Sequence, residues 1–153
     1  MGLLDFLFGK TQKIEHDFFG QMKFTGSKVP TQTDYFECRR HFKPINNIIE
    51  ILIDGDISGP TKTQVDFFKS IEDNYPAITK AITPLIEDEF GNWKDGFKIG
   101  DFNKEFKPAH LNLPRCDSKP IIWEIVFESE HDRDHIFTLT MHDFEAKEIH
   151  IDG

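Results

Sequence analysis

The stretch IIEILIDGDISGPTKTQVDFFKSIEDN, residues 48–74, decides the fold because it contains a strand, a tight turn and a helix in succession. Isoleucines at positions 49, 51 and 53 alternate with Glu50 and Leu52, which is the period-two pattern of a strand buried on one face. The polar segment DGDISGP, residues 54–60, then turns the chain. Every other segment can be placed relative to this unit.

Two helices are predicted to follow the turn. Thr61 and Gln64 have the spacing of a capping box, in which each side chain bonds the backbone amide of the other residue. The first helix is expected over residues 62–73, and a second over residues 77–89. Pro84 lies inside the second helix and predicts a kink or a restart there. The buried stripe of the first helix is predicted to consist of Val65, Phe67, Phe68 and Ile71.

Six further strands are predicted from alternating apolar and polar residues. They cover residues 18–24, 34–41, 109–113, 121–128, 136–141 and 147–151. The first of them places Phe18 and Phe24 on one side. Residues 2–8 predict one or two helical turns, and residues 91–107 predict a long irregular loop with one short strand. The resulting order, β-β-β-α-α-β-β-β-β, predicts a single α+β domain over residues 1–153, with a largely antiparallel sheet and two central consecutive helices.

The composition bounds the classes of function. With 153 residues, 38% of them hydrophobic and 29% charged, the chain has the length and composition of one globular domain. Its sixteen phenylalanines predict a core packed with aromatic rings. The net charge of −9 and the lack of a Lys/Arg run argue against nucleic acid and membrane surfaces as partners, because both require a basic patch. The oligomeric state does not follow from the sequence.

The sequence predicts a cytoplasmic protein. The N-terminal segment MGLLDFLFGK has no basic region before its apolar run and no small-residue cleavage site, so it does not match a secretory signal. No segment approaches the roughly 20 apolar residues that span a bilayer. The two cysteines, Cys38 and Cys116, lack the close spacing of a zinc or redox motif.

Motifs for metal and catalytic chemistry are incomplete. Residues 54–59 match the first positions of an EF-hand calcium loop, but Val65 stands where a bidentate glutamate is required. His131 and His135 are four residues apart across a hairpin turn, whereas such a pair converges on one ion when it lies on a helix. Nucleophile-elbow and glycine-rich phosphate-binding motifs are absent from the sequence. We therefore predict no metal, no cofactor and no catalytic residue.

A candidate binding surface lies near the C terminus. From Glu128 to Gly153 the sequence has eight acidic residues and two basic ones. Such a patch complements a basic protein partner and steers its association. The side chains assigned to binding are Glu130, His131, Asp132, Asp134 and His135 of this region and the aromatic Trp93.

A strand that ends in an acidic turn, followed by G-P-T-x-x-Q at the start of an apolar helix, a second helix and late strands, resembles a group of small bacterial domains of unknown function. The residues that carry the resemblance are Asp54, Gly59, Pro60, Thr61, Gln64 and Phe68. Some related small acidic bacterial proteins resemble immunity proteins, which are single-domain inhibitors that bind a cognate toxin. The resemblance implies a non-enzymatic protein-binding role and supplies no catalytic residues.

Two alternative functions are compatible with the sequence. One is a small metal-dependent hydrolase built on the histidines of residues 131–142. The other is a small-ligand-binding domain in which Trp93 and Phe97 line a site in the 91–107 segment. The most informative structural observation is whether titratable groups converge in the largest cavity.

Overall fold

The computed structural model describes residues 11–27 and 33–153, and the helical turns expected at residues 2–8 lie outside this part of the chain. Eight strands form one sheet, and their order in space is their order in the sequence. The strands are β1 (Thr11–His16), β2 (Gly20–Thr25), β3 (Tyr35–Phe42), β4 (Asn47–Asp54), β5 (Phe106–Leu113), β6 (Ile122–Ser129), β7 (Asp132–His142) and β8 (Glu145–Asp152). The helices are α1 (Lys62–Asp73), α2 (Tyr75–Gly91) and the single-turn α3 (Phe102–Glu105), and a 3-10 turn spans Lys43–Ile45.

One pair of strands departs from an antiparallel arrangement. Strands β4 and β5 run parallel, with Glu50 opposite His110 and Ile53 opposite Leu113. Parallel neighbours require a long crossover, and α1 and α2 provide it. The α+β class and the largely antiparallel sheet are therefore confirmed, whereas the predicted count of seven strands is wrong.

The additional strand is β1, at one edge of the sheet. Its sequence, TQKIEH, contains Ile14 as its only large apolar residue, so it lacks the alternation that marks a half-buried strand. The placement of Phe18 in a strand is also wrong, because residues 17–19 form the turn between β1 and β2. The Nδ1 atom of His16 accepts hydrogen bonds from the backbone amides of Phe18 (3.1 Å) and Phe19 (3.2 Å) and closes this turn.

The hydrophobic core lies on one face of the sheet, which α1 and α2 cover. Ile49, Ile51 and Ile53 are each at most 1% exposed, whereas Ile48, on the other face of β4, is 48% exposed. The period-two pattern of the opening stretch is thus realised in β4. Eleven phenylalanines belong to the buried cluster: Phe19, Phe24, Phe36, Phe42, Phe67, Phe68, Phe90, Phe97, Phe106, Phe127 and Phe137.

Helix α1 has the bounds predicted from the sequence, residues 62–73. The capping box is complete, because the Thr61 hydroxyl accepts the Gln64 amide (3.2 Å) and the Gln64 side chain accepts the Thr61 amide (3.0 Å). Phe68 and Ile71 are fully buried and Phe67 is 8% exposed. Val65 packs against the cluster from a half-buried position.

Helix α2 passes through Pro84 as one uninterrupted helix, so the expected restart is wrong. A proline inside a helix removes the N–H that would bond the carbonyl four residues earlier, here that of Lys80. Both Pro84 and Lys80 lie on the exposed side of the helix. The helix also begins earlier than expected, at Tyr75, because Pro76 lies in the first turn, where proline is tolerated.

The 91–107 segment is more ordered than the predicted loop. It contains α3, and β5 starts within it at Phe106. The side chain of Glu87 on α2 fixes the segment, since its Oε2 accepts the backbone amide of Ile99 (3.0 Å) and its Oε1 lies 3.6 Å from the ammonium of Lys98.

Within residues 11–27 and 33–153, none of the helices combines the length and the apolar character needed to traverse a bilayer.

Candidate functional site

The candidate site is the hairpin that joins β6 and β7. Glu130 and His131 form its tight turn. The register shifts beside the turn, because Ser129 pairs with Asp132 whereas Glu128 pairs with Ile136. Three residues of β7 therefore have no counterpart on β6, and such a bulge redirects side chains at the end of a sheet.

A cavity of about 490 Å³ lies beside this turn. Its charged lining comes from the hairpin, from α3 and from the start of β5. The acidic side chains are Glu105, Glu128, Glu130, Asp132 and Asp134, and the basic ones are Lys104, Lys107 and Arg133. Ile136 adds an apolar surface that is 42% exposed. Four of the six predicted binding residues thus share one cavity: Glu130, Asp132, Asp134 and His135.

Asp132 and His135 are engaged with each other. The Nδ1 atom of His135 lies 2.7 and 2.9 Å from the two carboxylate oxygens of Asp132, and the backbone amide of Asp134 donates to the same carboxylate at 3.2 Å. The hydrogen bond from His135 is the main reason why the pKa of Asp132 is lowered. The exposed side chains of Glu130 and Asp134 make no such internal contact within the described chain.

His131 does not belong to the cavity lining but contacts a residue that does. Its Nε2 lies 2.7 Å from Oε1 of Glu105, and its ring meets the edge of Phe97 at a centroid distance of 5.0 Å. The backbone amide of Glu130 also donates to the carbonyl of Glu105 at 3.1 Å. These contacts connect the hairpin turn to α3. His131 therefore stabilises the position of the hairpin beside the cavity.

Glu105 accepts the hydrogen bonds that connect α3 to the hairpin turn. Its side chain accepts hydrogen bonds from His131 and from the backbone of Asp101. Burial alone raises the pKa of Glu105, but the hydrogen bonds from His131 and from the backbone of Asp101 and Gly100 outweigh it and hold the pKa below its usual value. Glu105 is therefore an ionised anchor beneath the hairpin.

Trp93 lies outside the cavity lining. Its indole stacks on Phe90 with a centroid distance of 5.1 Å and an interplanar angle of 11°, and its Nε1 donates to the carbonyl of Glu89 at 2.5 Å. The ring is 51% exposed. Phe97, the other residue of the small-ligand alternative, is 7% exposed and belongs to the core.

The acidic turn after β4 is held by contacts within the protein. Oδ1 of Asp56 accepts the backbone amide of Ser58 at 2.9 Å as well as the Ser58 hydroxyl, and these bonds lower the pKa of Asp56. The Asp56 carboxylate also lies 3.8 Å from the guanidinium of Arg115. Across the described ranges, no three His, Cys, Asp or Glu side chains are arranged so that they could hold one metal ion.

Sequence reasoning missed two groups of polar residues. Lys104, Glu105 and Lys107 reach the hairpin cavity from the segment that was predicted as a loop. A second group lies on the uncovered face of the sheet, where Nε2 of His110 is 2.6 Å from Oδ1 of Asn112. The Asn112 amide in turn donates to Glu124 at 2.7 Å. The alternation of polar and apolar residues in β5 and β6 could have predicted that these polar side chains share one face of the sheet.

Comparison of the chain with protein-family models, with curated proteins and with solved structures gives no match. The fold and the hairpin define a small α+β domain with an acidic cavity at one end of its sheet.

Proposed function

We propose that this protein is a non-enzymatic binding domain that holds a basic protein partner in the hairpin cavity. The observation that carries the proposal is the convergence of Glu130 and Asp134, two carboxylates without an internal partner in the described chain, beside the exposed side chain of Ile136. A lysine or arginine of a partner supplies the opposite charge, and its aliphatic stem can pack against Ile136.

The balance of charge at the cavity supports a cationic partner. Five carboxylates and three basic side chains line it, so its formal charge is negative with His135 neutral. The whole chain has a net charge of −9, which adds a long-range attraction for a basic protein and raises the rate of encounter. Lys104, Lys107 and Arg133 add positive positions that discriminate among partners, since like charges placed opposite them are disfavoured.

The rigidity of the hairpin also supports binding. The His131–Glu105 contact and the Asp132–His135 contact fix both sides of the turn before a partner arrives. A preorganised surface pays less conformational entropy on association than a mobile one. The likeness of the chain to small acidic bacterial domains, some of them similar to immunity proteins, suggests that the partner is a toxin.

The test is a comparison of captured proteins from a lysate of the source organism. The bait Glu130→Lys/Asp134→Lys changes the formal charge from −9 to −5, because each substitution adds two units. The control bait Glu15→Lys/Asp17→Lys makes the same change at two exposed positions of the opposite edge of the sheet. Both are compared with the unmodified protein by mass spectrometry.

We expect a basic protein that the unmodified and control baits retain and the hairpin bait loses. Its retention should also fall as the salt concentration is raised, because the contact is electrostatic. Equal capture by all three baits would remove the hairpin cavity from the proposal. A circular dichroism spectrum of each bait verifies that the fold is kept.

A further inference from the structure

Strand β1 forms one edge of the sheet, and in the described part of the chain its outer side has no neighbouring strand. It pairs with β2 in a regular antiparallel register from Thr11 to His16. At such an edge every second residue directs its backbone N–H and C=O outward, where they can pair with another strand. Prolines and bulges commonly protect an edge strand, and β1 contains neither. This edge can therefore accept a further strand.

The opposite edge strand, β8, is better protected. A register shift between Thr140 and Met141 interrupts its pairing with β7. The sequence of β8, EAKEIHID, contains three carboxylates and one lysine, so two copies of this strand repel each other. The sequence of β1, TQKIEH, contains one lysine and one glutamate. Of the two edges, β1 is thus the one whose charges allow association with itself.

The two charged side chains of β1 lack an oppositely charged neighbour on β2. Lys13 and Glu15 are both exposed, and they lie opposite Lys23 and Gln21. The ammonium of Lys23 is 3.8 Å from the carboxylate of Glu37 on β3. Like charges that face each other across two strands are unfavourable, so Lys13 gains from a carboxylate on its other side.

We propose that β1 pairs with β1 of a second copy of this chain, in an antiparallel register centred on Ile14. Residues that face each other across a strand pair must lie on the same face of the sheet, which limits the possible registers. The register centred on Ile14 places Lys13 of each copy opposite Glu15 of the other copy. Registers centred on Lys13 or on Glu15 place like charges opposite each other instead. The charges of β1 therefore select one register.

The apolar side chain of β1 fits the same register. Ile14 lies opposite the buried Met22 and packs against the core from a half-buried position. In the paired strands the two Ile14 side chains face each other, so each covers surface that the other leaves exposed to solvent. The assembly is a two-fold symmetric dimer with one sheet continuous across both copies.

The size of the contact indicates a weak dimer. The strand has six residues, and interfaces that bury less than about 1,200 Å² are typical of weak or transient complexes. We therefore expect a reversible dimer that forms at high protein concentration. The contact is separated from the hairpin cavity by strands β2 to β5 and does not rest on the function proposed for that cavity.

The dimer is tested by sedimentation equilibrium at protein concentrations from about 10 µM to 1 mM, where a weak interface associates. Lys13→Glu and Glu15→Lys each replace two opposite-charge contacts by two like-charge contacts. The double variant Lys13→Glu/Glu15→Lys exchanges the charges and restores both contacts at unchanged net charge. Glu148→Lys, at an exposed position of β8, is the matched control for Glu15→Lys. A circular dichroism spectrum of each variant verifies the fold.

We expect the unmodified protein and Glu148→Lys to form the same reversible dimer. Each single reversal on β1 should weaken the dimer about tenfold or more, because two cross-strand pairs change from attractive to repulsive. The double variant should regain the affinity of the unmodified protein. An equimolar mixture of Lys13→Glu and Glu15→Lys should form a mixed dimer, since one strand then has two acidic side chains and the other two basic ones.

The proposal is overturned if the unmodified protein is a monomer at every concentration. It is also overturned if the single reversals leave the affinity of the dimer unchanged, or if the double variant associates as weakly as they do. The control bait Glu15→Lys/Asp17→Lys should be monomeric and still retain a basic protein through the hairpin cavity. The dimer and the hairpin proposal can therefore fail separately.

Discussion

The side-chain amide of Gln64 lies 2.9 Å from the carbonyl oxygen of Pro114, fifty residues further along the chain. The same amide donates to the carbonyl of Asp54 at 2.7 Å. Asp54 ends β4 and Pro114 directly follows β5, so one side chain joins the ends of the only parallel strand pair in the described sheet. The residue that completes the capping box of α1 therefore also connects the ends of β4 and β5.

Gln64→Ala should destabilise the protein by about 2–4 kcal/mol, since it removes a capping bond and leaves two carbonyls without their donor in a buried position. Gln64 is 1% exposed, and water cannot easily replace the lost bonds. Urea unfolding measures the effect. Thr63→Ala, at the exposed neighbouring position, should change the free energy of unfolding by less than about 0.5 kcal/mol. Equal losses at both positions would contradict the assigned role.

The stability of the hairpin should depend on pH through Glu105. The pKa of Glu105 is lowered in the folded protein, so its ionised form favours folding above the ordinary glutamate pKa of about 4.3. This contribution is lost as the pH falls through the lowered value. Between pH 5 and pH 3 the unmodified protein should therefore lose more stability than Glu105→Gln, which has no charge to lose.

The matched control for this pH dependence is Glu130→Gln, at an exposed carboxylate in the same cavity. Its urea midpoint should follow that of the unmodified protein across the same range. If the urea midpoints of Glu105→Gln and of the unmodified protein fall by the same amount between pH 5 and pH 3, the Glu105 contacts do not favour its ionised form.

Phe90 should be among the most sensitive core positions. Its ring lies beside five others, with centroid distances of 4.6 Å to Phe97, 5.1 Å to Trp93, 5.1 Å to Phe137, 5.8 Å to Phe106 and 6.3 Å to His131. Phe90→Ala should cost about 3–5 kcal/mol because it opens a cavity between these rings. Trp93→Ala should cost about 0.5–1.5 kcal/mol, since the indole is half exposed and its main contact is one stacked ring. Thermal unfolding of both variants distinguishes the two values.

Pro84→Ala should stabilise α2. An alanine restores the N–H that proline lacks and adds the hydrogen bond to the Lys80 carbonyl, for a net gain of about 1–2 kcal/mol after the greater chain entropy of the unfolded variant is subtracted. Pro76→Ala is the matched control, because proline in a first helical turn loses no hydrogen bond and no gain is expected. An unchanged melting temperature for Pro84→Ala would mean that the helix is distorted around residue 84.

Residues 62–73 were predicted correctly as a helix because local chemistry specifies both its start, through Thr61 and Gln64, and its buried stripe. Strand β1 was missed because an edge strand gains its order from pairing with β2 rather than from its own apolar pattern. Of the kink or restart expected at Pro84, the restart is wrong, because the buried Ile78, Ile82 and Ile86 hold one continuous helix on both sides of the proline.

The candidate site was predicted in part for a similar reason. The acidic side chains of the hairpin are close in sequence, so composition alone brought Glu130, Asp132 and Asp134 together. The contact of His131 with Glu105 could not be predicted, because all of β5 and β6 lie between these two residues in the sequence.

The sequential order of the strands has a consequence for how the chain folds. Strands β1 to β4 form one meander and β5 to β8 form another, so most pairings join residues that are near neighbours along the chain. The union of β4 with β5, where Glu50 meets His110, is the one pairing that must close a long loop. The other strand pairings are local along the chain, so we expect closure of the β4–β5 crossover to carry the largest loop-closure entropy cost in the sheet.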